Sequence, residues 1–333
     1  MQDPIFIHAL WRTGSTYLWG KFRTRDELCC FFEPFHESLI AKSKDALLSD
    51  FTRAAKKFSH DTIKHNYYDE FEVDEQGGAR HFRSRFVVDK YAMGLSEKDD
   101  ELTTYLQSLI DIAKGKGHRP VLQFNRSILR AEWMKQRFGG AHLYLNRNLA
   151  DVHQSYTEKG YYIPSYITII RQNAAHPLFK EIAEHLDQAP YEYEGRFNEA
   201  TSDHDAKRFK ARLTSSTRKT RSLSEQDKKD VVTFFWTLGL ASASRYSDMI
   251  IDSDRIIQGS GRTMPQMFSD VSGLDVDFSD LRIKTQLLDP LNVSPRVREI
   301  IRNAVDKIGP DWDVLSSTEM SQQTRVQVAL AMQ

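Results

Sequence analysis

Cysteine is scarce in this chain, and so is any excess of one charge. The only 2 cysteines among 333 residues are the neighbours Cys29 and Cys30. Adjacent side chains on a strand point to opposite faces, which argues against a disulfide between them or a metal site built on them. The 46 basic residues balance 46 acidic ones, so no global field recruits nucleic acid or an anionic membrane, and any attraction for anions must be local. No window approaches the ~20 apolar residues of a membrane span. Met1-Gln2-Asp3-Pro4 enters the first apolar run at once, without the basic and apolar regions of a signal peptide. The expectation is a cytoplasmic protein with no metal, no nucleic-acid partner and no membrane span. Oligomeric state is not legible, and a homo-oligomer stays open. Internal repeats and low-complexity tracts are also missing.

What is present starts at the first residues. Ile5-Phe6-Ile7-His8 runs through Leu10-Trp11 into Arg12-Thr13-Gly14-Ser15-Thr16, after which Tyr17, Leu18, Lys21 and Phe22 repeat at helical spacing. The pattern predicts strand, loop, helix. Such a loop aims backbone N–H groups and a helix N-terminus at one spot, a favourable place for phosphate or sulfate. Arg12 adds a forked cation, and Ser15 and Thr16 add hydroxyls. A Walker A motif needs G-x-x-x-x-G-K-[ST], whereas this loop has one glycine and no lysine.

Further strands are expected at 28–32, 86–88, 120–125, 142–146 and 249–251. Helices are expected from Pro34, over 102–113, 128–138, 166–186, 225–246, 264–271 and 295–308, and after an Asn148 cap. Residues 59–85 carry Gly77-Gly78 and suggest a hairpin or an insertion, and 196–224 is basic and poor in apolar residues. Strands alternating with helices predict an α/β fold, a mostly parallel sheet flanked by helices, with a largely helical second half. One domain over 1–333 is expected, with a nucleotide-binding core at 1–160, a helical acceptor or lid region at 161–247, and completion of the core at 248–315.

A second anion motif lies in Leu143-Tyr144-Leu145-Asn146-Arg147-Asn148-Leu149, with Ser155 eight positions after Arg147. A strand delivers Arg147 at its C-terminal end, and Ser155 falls about two turns into the next helix. Ligands of open parallel sheets collect at that edge, where the Arg12 loop also belongs. Two anion elements on one edge suit a ligand with two separated phosphates.

Here the chain resembles the sulfotransferases that use 3′-phosphoadenosine 5′-phosphosulfate (PAPS). Trp11-Arg12-Thr13-Gly14-Ser15-Thr16-Tyr17-Leu18 is similar to their 5′-phosphosulfate loop, in the arginine version of the carbohydrate and tyrosine sulfotransferases. Arg147 and Ser155 are similar to their 3′-phosphate motif. The resemblance implies a P-loop NTPase-like fold and transfer of a sulfuryl group from PAPS to a hydroxyl or amine of a carbohydrate-like or other small acceptor. It implies nucleotide contacts from Arg12, Thr13, Gly14, Ser15, Thr16, Arg147 and Ser155, and by position from Lys284. Arg12 would stabilise the leaving phosphate without a metal. Glu33, which ends the second strand among Phe31, Phe32 and Phe35, resembles the family's strand-end base, with His36 as the alternative. Gln123, Asn125 and Arg126 would face the sulfuryl group or the acceptor. Two departures stand out: Arg147-Asn148-Leu149 replaces the usual Arg-Asp-Pro, and Ile251-Asp252-Ser253-Asp254 replaces a late Tyr-Glu-Asp-Leu-like strand. An ATP-dependent kinase and a non-catalytic nucleotide-binding protein are the competing readings.

Overall fold

Ile5–Ala9 is buried at every position, which fits a strand covered on both faces and paired on both edges. The computed structural model of the chain describes residues 3–40, 42–47, 66–75, 77–159, 162–187, 209, 211, 223–257, 263–281 and 290–333. In it, β1 (Ile5–Ala9) is the middle of a five-stranded sheet in the order β2-β3-β1-β4-β5. The other strands are β2 (Leu28–Phe32), β3 (Arg119–Phe124), β4 (Ala141–Asn146) and β5 (Met249–Asp252), and every pairing is parallel. The fold is therefore α/β, as the alternation predicts.

The order fixes where a ligand crevice can lie. From β1 the chain runs outward to β2, whereas β3 and β4, on either side of β1, send it towards β5. The direction of the connections thus reverses above the C-terminal end of β1. That end carries the Arg12 loop, followed by α1 (Ser15–Arg23).

Helices α2 (Asp100–Gly115), α3 (Ala131–Phe138), α4 (Leu149–Lys159), α5 (Tyr162–Gln172) and α6 (Lys180–His185) follow in chain order. Next comes α7 (Glu225–Tyr246), opened by a reciprocal capping box between Ser224 and Asp227. Every residue from Asp230 to Ser244 in α7 is buried, so it is a core helix, set against β4, β5 and other helices. Gly239 allows the close approach: a Cβ there would sit 2.7 Å from the Tyr144 hydroxyl oxygen on β4. After β5 come α8 (Ser253–Ile257), α9 (Thr263–Ser272), α10 (Pro295–Ile308), α11 (Trp312–Ser316) and α12 (Gln322–Met332). Pro295 at the start of α10 and left-handed Gly309 after its end show why its boundaries are legible. Among the described residues, no helix is long and apolar enough to cross a membrane.

Several local expectations fail for tertiary reasons. Phe86-Val87-Val88 is not a strand: Ser84–Val87 is a 3-10 turn, and the buried Arg130 guanidinium takes the carbonyls of Phe86, Asp89 and Lys90. No helix starts at Pro34. The Ser38 amide goes to His36 Nδ1 and the Leu39 amide to the His36 carbonyl rather than to Pro34 or Phe35, whose carbonyls accept from the Tyr105 hydroxyl at 2.7 Å and from Arg126 at 2.6 Å. A short 3-10 turn, Glu37–Leu39, forms instead. The expected helix over 166–186 is two helices, α5 and α6. Asn173 leaves the first to bond Val88 and Tyr91, and Pro177 supplies no N–H to continue it. Within 59–85 an isolated antiparallel bridge joins Val73 to Ala79 around Gly77-Gly78, a minimal form of the hairpin alternative. Lys284 and most of 196–224 lie outside the described residues.

Candidate functional site

The Arg12 loop is shaped by conformations that few residues tolerate. Gly14 sits at φ 99° and precedes α1 as its N-cap, and with no side chain it leaves the first turn without a side-chain acceptor. Thr13 is fully buried, its hydroxyl donating to the Leu10 carbonyl at 2.9 Å, so it braces the loop from inside. Arg12 itself adopts φ 66°, unusual for a non-glycine residue.

Tertiary bonds hold that conformation. The Tyr156 hydroxyl donates to the Trp11 carbonyl at 2.9 Å, Arg147 donates to the Arg12 carbonyl at 3.3 Å, and Arg12 Nε donates to Ser155 Oγ at 2.7 Å. The two anion motifs, which start on the neighbouring strands β1 and β4, are thus one interlocked unit. Arg147 is steadied further by Asp151 at 3.2 Å and by Trp236 of α7, whose indole donates to its carbonyl at 2.9 Å.

A second group occupies the ends of β2 and β3, about two strand spacings (~10 Å) from β1 at the β2 position. Glu33 takes φ 44°, and the residue is 8% exposed. Asn125 donates to Glu33 Oε1 at 2.6 Å, and Gln123 donates to Asn125 Oδ1 at 2.9 Å. Gln123 is fully buried and so stands behind Asn125 in this relay. Arg126 is held against Phe35 and Glu37, with its guanidinium 4.9 Å over the Trp11 ring. His36 accepts the Ser38 amide on Nδ1 at 3.0 Å, with the Tyr68 hydroxyl 3.2 Å from the same nitrogen, and its Nε2 lies 3.9 Å from Glu37. The acceptor nitrogen of the neutral ring is therefore already in use.

No protein-family model matches this chain, and no curated protein matches it by sequence. The site rests on its own geometry.

Two features escaped the sequence reading. Tyr67 and Tyr68 come from the segment that local pattern left unassigned, yet both border the Glu33 group. Tyr67 stacks on Phe32 with ring centres 4.2 Å apart, and Tyr68 meets His36. Burial first, then the Glu33 charge, raises both phenol pKa values, so both hydroxyls stay protonated donors. Nothing short of the fold brings residues 67–68 to residue 33. Tyr162 and Tyr166, by contrast, are buried against Trp11, Tyr156 and Phe235 and act as packing. Tyr161, Tyr191 and Tyr193 lie outside the described residues.

The second feature is a carboxylate cluster beneath Arg147. Asp252 and Asp254 end β5 and begin α8, both fully buried, and burial, aided by Asp252, pushes Asp254 up to about 7. Asn148 stands between the acids. Its Oδ1 accepts the Asp151 amide at 2.9 Å, and its Nδ2 lies 2.9 Å from Asp151 and 3.2 Å from Asp254. An aspartate at 148 would cap the helix equally well but would put a third carboxylate in contact with these two. The two departures from the resembling motifs, at 148 and at 252–254, are therefore spatially linked.

Proposed function

We propose that this chain is a PAPS-dependent sulfotransferase that moves a sulfuryl group to a hydroxyl of a carbohydrate-like or other small acceptor. The observation that carries the reading is the bond from Arg12 to Ser155. It joins a helix-N-terminal anion loop to an Arg/Ser pair on the adjacent strand, directly above the point where the sheet connections reverse. A nucleotide with phosphates at two positions fits that pairing, because each half supplies its own cation and donors.

The residues fit such a ligand. The uncapped first turn of α1 offers the backbone amides of Ser15 and Thr16, and Gly14 keeps the approach free of a side chain. Ser155 Oγ accepts from Arg12 and so keeps its own proton to donate. Arg12 supplies cationic stabilisation where charge develops on the leaving oxygen. PAPS brings an activated sulfuryl group, which makes in-line positioning and a base the remaining requirements.

Glu33 is the base in this reading. It is a mostly buried carboxylate whose orientation is fixed by Asn125, and Gln123 fixes Asn125 in turn. His36 suits the role less, since its acceptor nitrogen faces the Ser38 amide. Calorimetric titration with adenosine 3′,5′-bisphosphate tests the nucleotide part: binding is expected, and none at millimolar ligand would sink it. Labelled PAPS with a panel of hydroxylated acceptors tests the transfer. An ATP-dependent phosphorylation, with ATP displacing the bisphosphate, would replace this reading with the kinase one.

A further inference from the structure

Away from the sheet edge, three side chains converge where α6 ends and α7 begins. His185 is the last residue of α6, and Asp227 and Asp230 lie in the first two turns of α7. The ligand atoms they can offer all lie within 4.8 Å of one another. His185 is exposed, Asp227 half-buried and Asp230 fully buried.

Among the described residues, the hydrogen bonds of each aspartate fall on one carboxylate oxygen and leave the other without a partner. Asp227 uses Oδ2 to accept from the Ser224 amide at 3.0 Å and the Ser224 hydroxyl at 2.7 Å in the capping box. Asp230 uses Oδ1 to accept from Gln226 at 2.9 Å and from the Ser294 amide at 3.1 Å. Asp230 Oδ2 is buried and has no hydrogen-bond partner among the described residues. A carboxylate oxygen stripped of water and left unpaired is costly, and a cation is the ordinary way to satisfy it.

We propose that His185, Asp227 and Asp230 bind a divalent metal ion of the zinc class. One imidazole nitrogen and two carboxylate oxygens suit zinc or manganese, whereas calcium and magnesium favour all-oxygen sites. Tetrahedral zinc ligands at about 2.0–2.2 Å from one ion lie roughly 3.3–3.6 Å apart, so atoms within 4.8 Å of one another need to close by no more than about 1.5 Å. The N-terminus of α7 opposes a cation with about half a positive charge, and two full carboxylate charges outweigh it. The ion would clip the chain at 185 to the chain at 227 and 230, and so stabilise the fold rather than take part in sulfuryl transfer.

The test uses the full chain after EDTA treatment. The EDTA-treated wild type is expected to gain about 2 °C or more in Tm with excess zinc chloride and, once reloaded with zinc and desalted, to retain about one equivalent of zinc by elemental analysis. Magnesium chloride should give no comparable gain. His185→Ala, at an exposed position, should match wild type without metal and lose the zinc-dependent gain. Asp230→Asn should lose it too, and if that variant fails to fold, His185→Ala decides alone. No retained zinc, a gain of wild-type size in His185→Ala, or an equal gain with magnesium would each overturn the proposal.

Discussion

Arg12 donates to Ser155 across 143 positions of chain at 2.7 Å, and this bond joins the loop after β1 to the helix after β4. It locates the candidate site, because each partner belongs to a different anion element. Ser155→Ala removes both the brace on Arg12 and a hydroxyl donor. Arg147→Ala removes a cation and the bond to the Arg12 carbonyl. The loss of a charge-assisted bond, about 1.5–3 kcal/mol, predicts bisphosphate affinity weaker by roughly 10- to 150-fold for Arg147→Ala, with a smaller loss for Ser155→Ala. Calorimetry on the two variants checks it, and unchanged affinity in both would remove the nucleotide reading.

Glu33 and Asn125 separate binding from turnover. Glu33→Gln is expected to lower turnover by roughly 10² or more while bisphosphate affinity holds. Asn125→Ala should lower turnover less, because it leaves the carboxylate but removes the 2.6 Å bond that orients it. Parallel loss of affinity in Glu33→Gln would place the residue in nucleotide binding instead.

Two buried histidines set an acid limit on stability. His8 lies 2.6 Å from the Ser127 hydroxyl and 3.0 Å from His142, and His142 lies 3.1 Å from the Gly139 carbonyl. Burial, chiefly, lowers both imidazoles, His142 to about 4. The unfolded chain then binds more protons below pH ~6.5, and their contribution falls by about 1.4 kcal/mol per pH unit per imidazole as pH drops from there towards 4. Asp254 works the other way: with a folded value of about 7, its folded carboxyl holds an extra proton between ~4 and 7, so its contribution falls as pH rises. Asp254→Asn removes that opposing slope. Urea unfolding should show the variant gaining up to ~4 kcal/mol at pH 7.5 and losing more than wild type between pH 6.5 and 4.5. Identical pH profiles would count against this account.

Asn148→Asp should expose the link between the two motif departures. A third carboxylate beside Asp151 and Asp254 is expected to destabilise the fold at pH 7.5 by about 1–3 kcal/mol, and Asp254→Asn in the same chain should recover most of it. Thermal unfolding of both singles and the double variant measures the coupling.

Gly239 and Tyr144 test the packing of the core helix on the sheet. Gly239→Ala gains helix propensity but pushes a methyl group to 2.7 Å from a buried hydroxyl oxygen. We expect a net loss of about 1–3 kcal/mol, relieved in the Gly239→Ala/Tyr144→Phe double variant, where that oxygen is gone. A stabilised Gly239→Ala would mean that the helix can move away at little cost.

Much of this protein is written locally. The five strands, the bounds of α7 and α10, the Gly14 turn and the Asn148 cap follow from apolar runs, capping residues and glycine placement, which act over a few residues. The alternation of strands and helices is enough to dictate a parallel sheet, and the parallel sheet puts residues 12, 33, 125 and 147 at one edge. Tertiary structure alone decided the rest. It put a 3-10 turn at 84–87 where Arg130 claimed the Phe86 carbonyl, brought Tyr67 and Tyr68 to Glu33, and left one oxygen of Asp230 buried without a partner among the described residues. Those outcomes depend on contacts between residues far apart in the chain, where a buried polar group must find its partner wherever packing has put one.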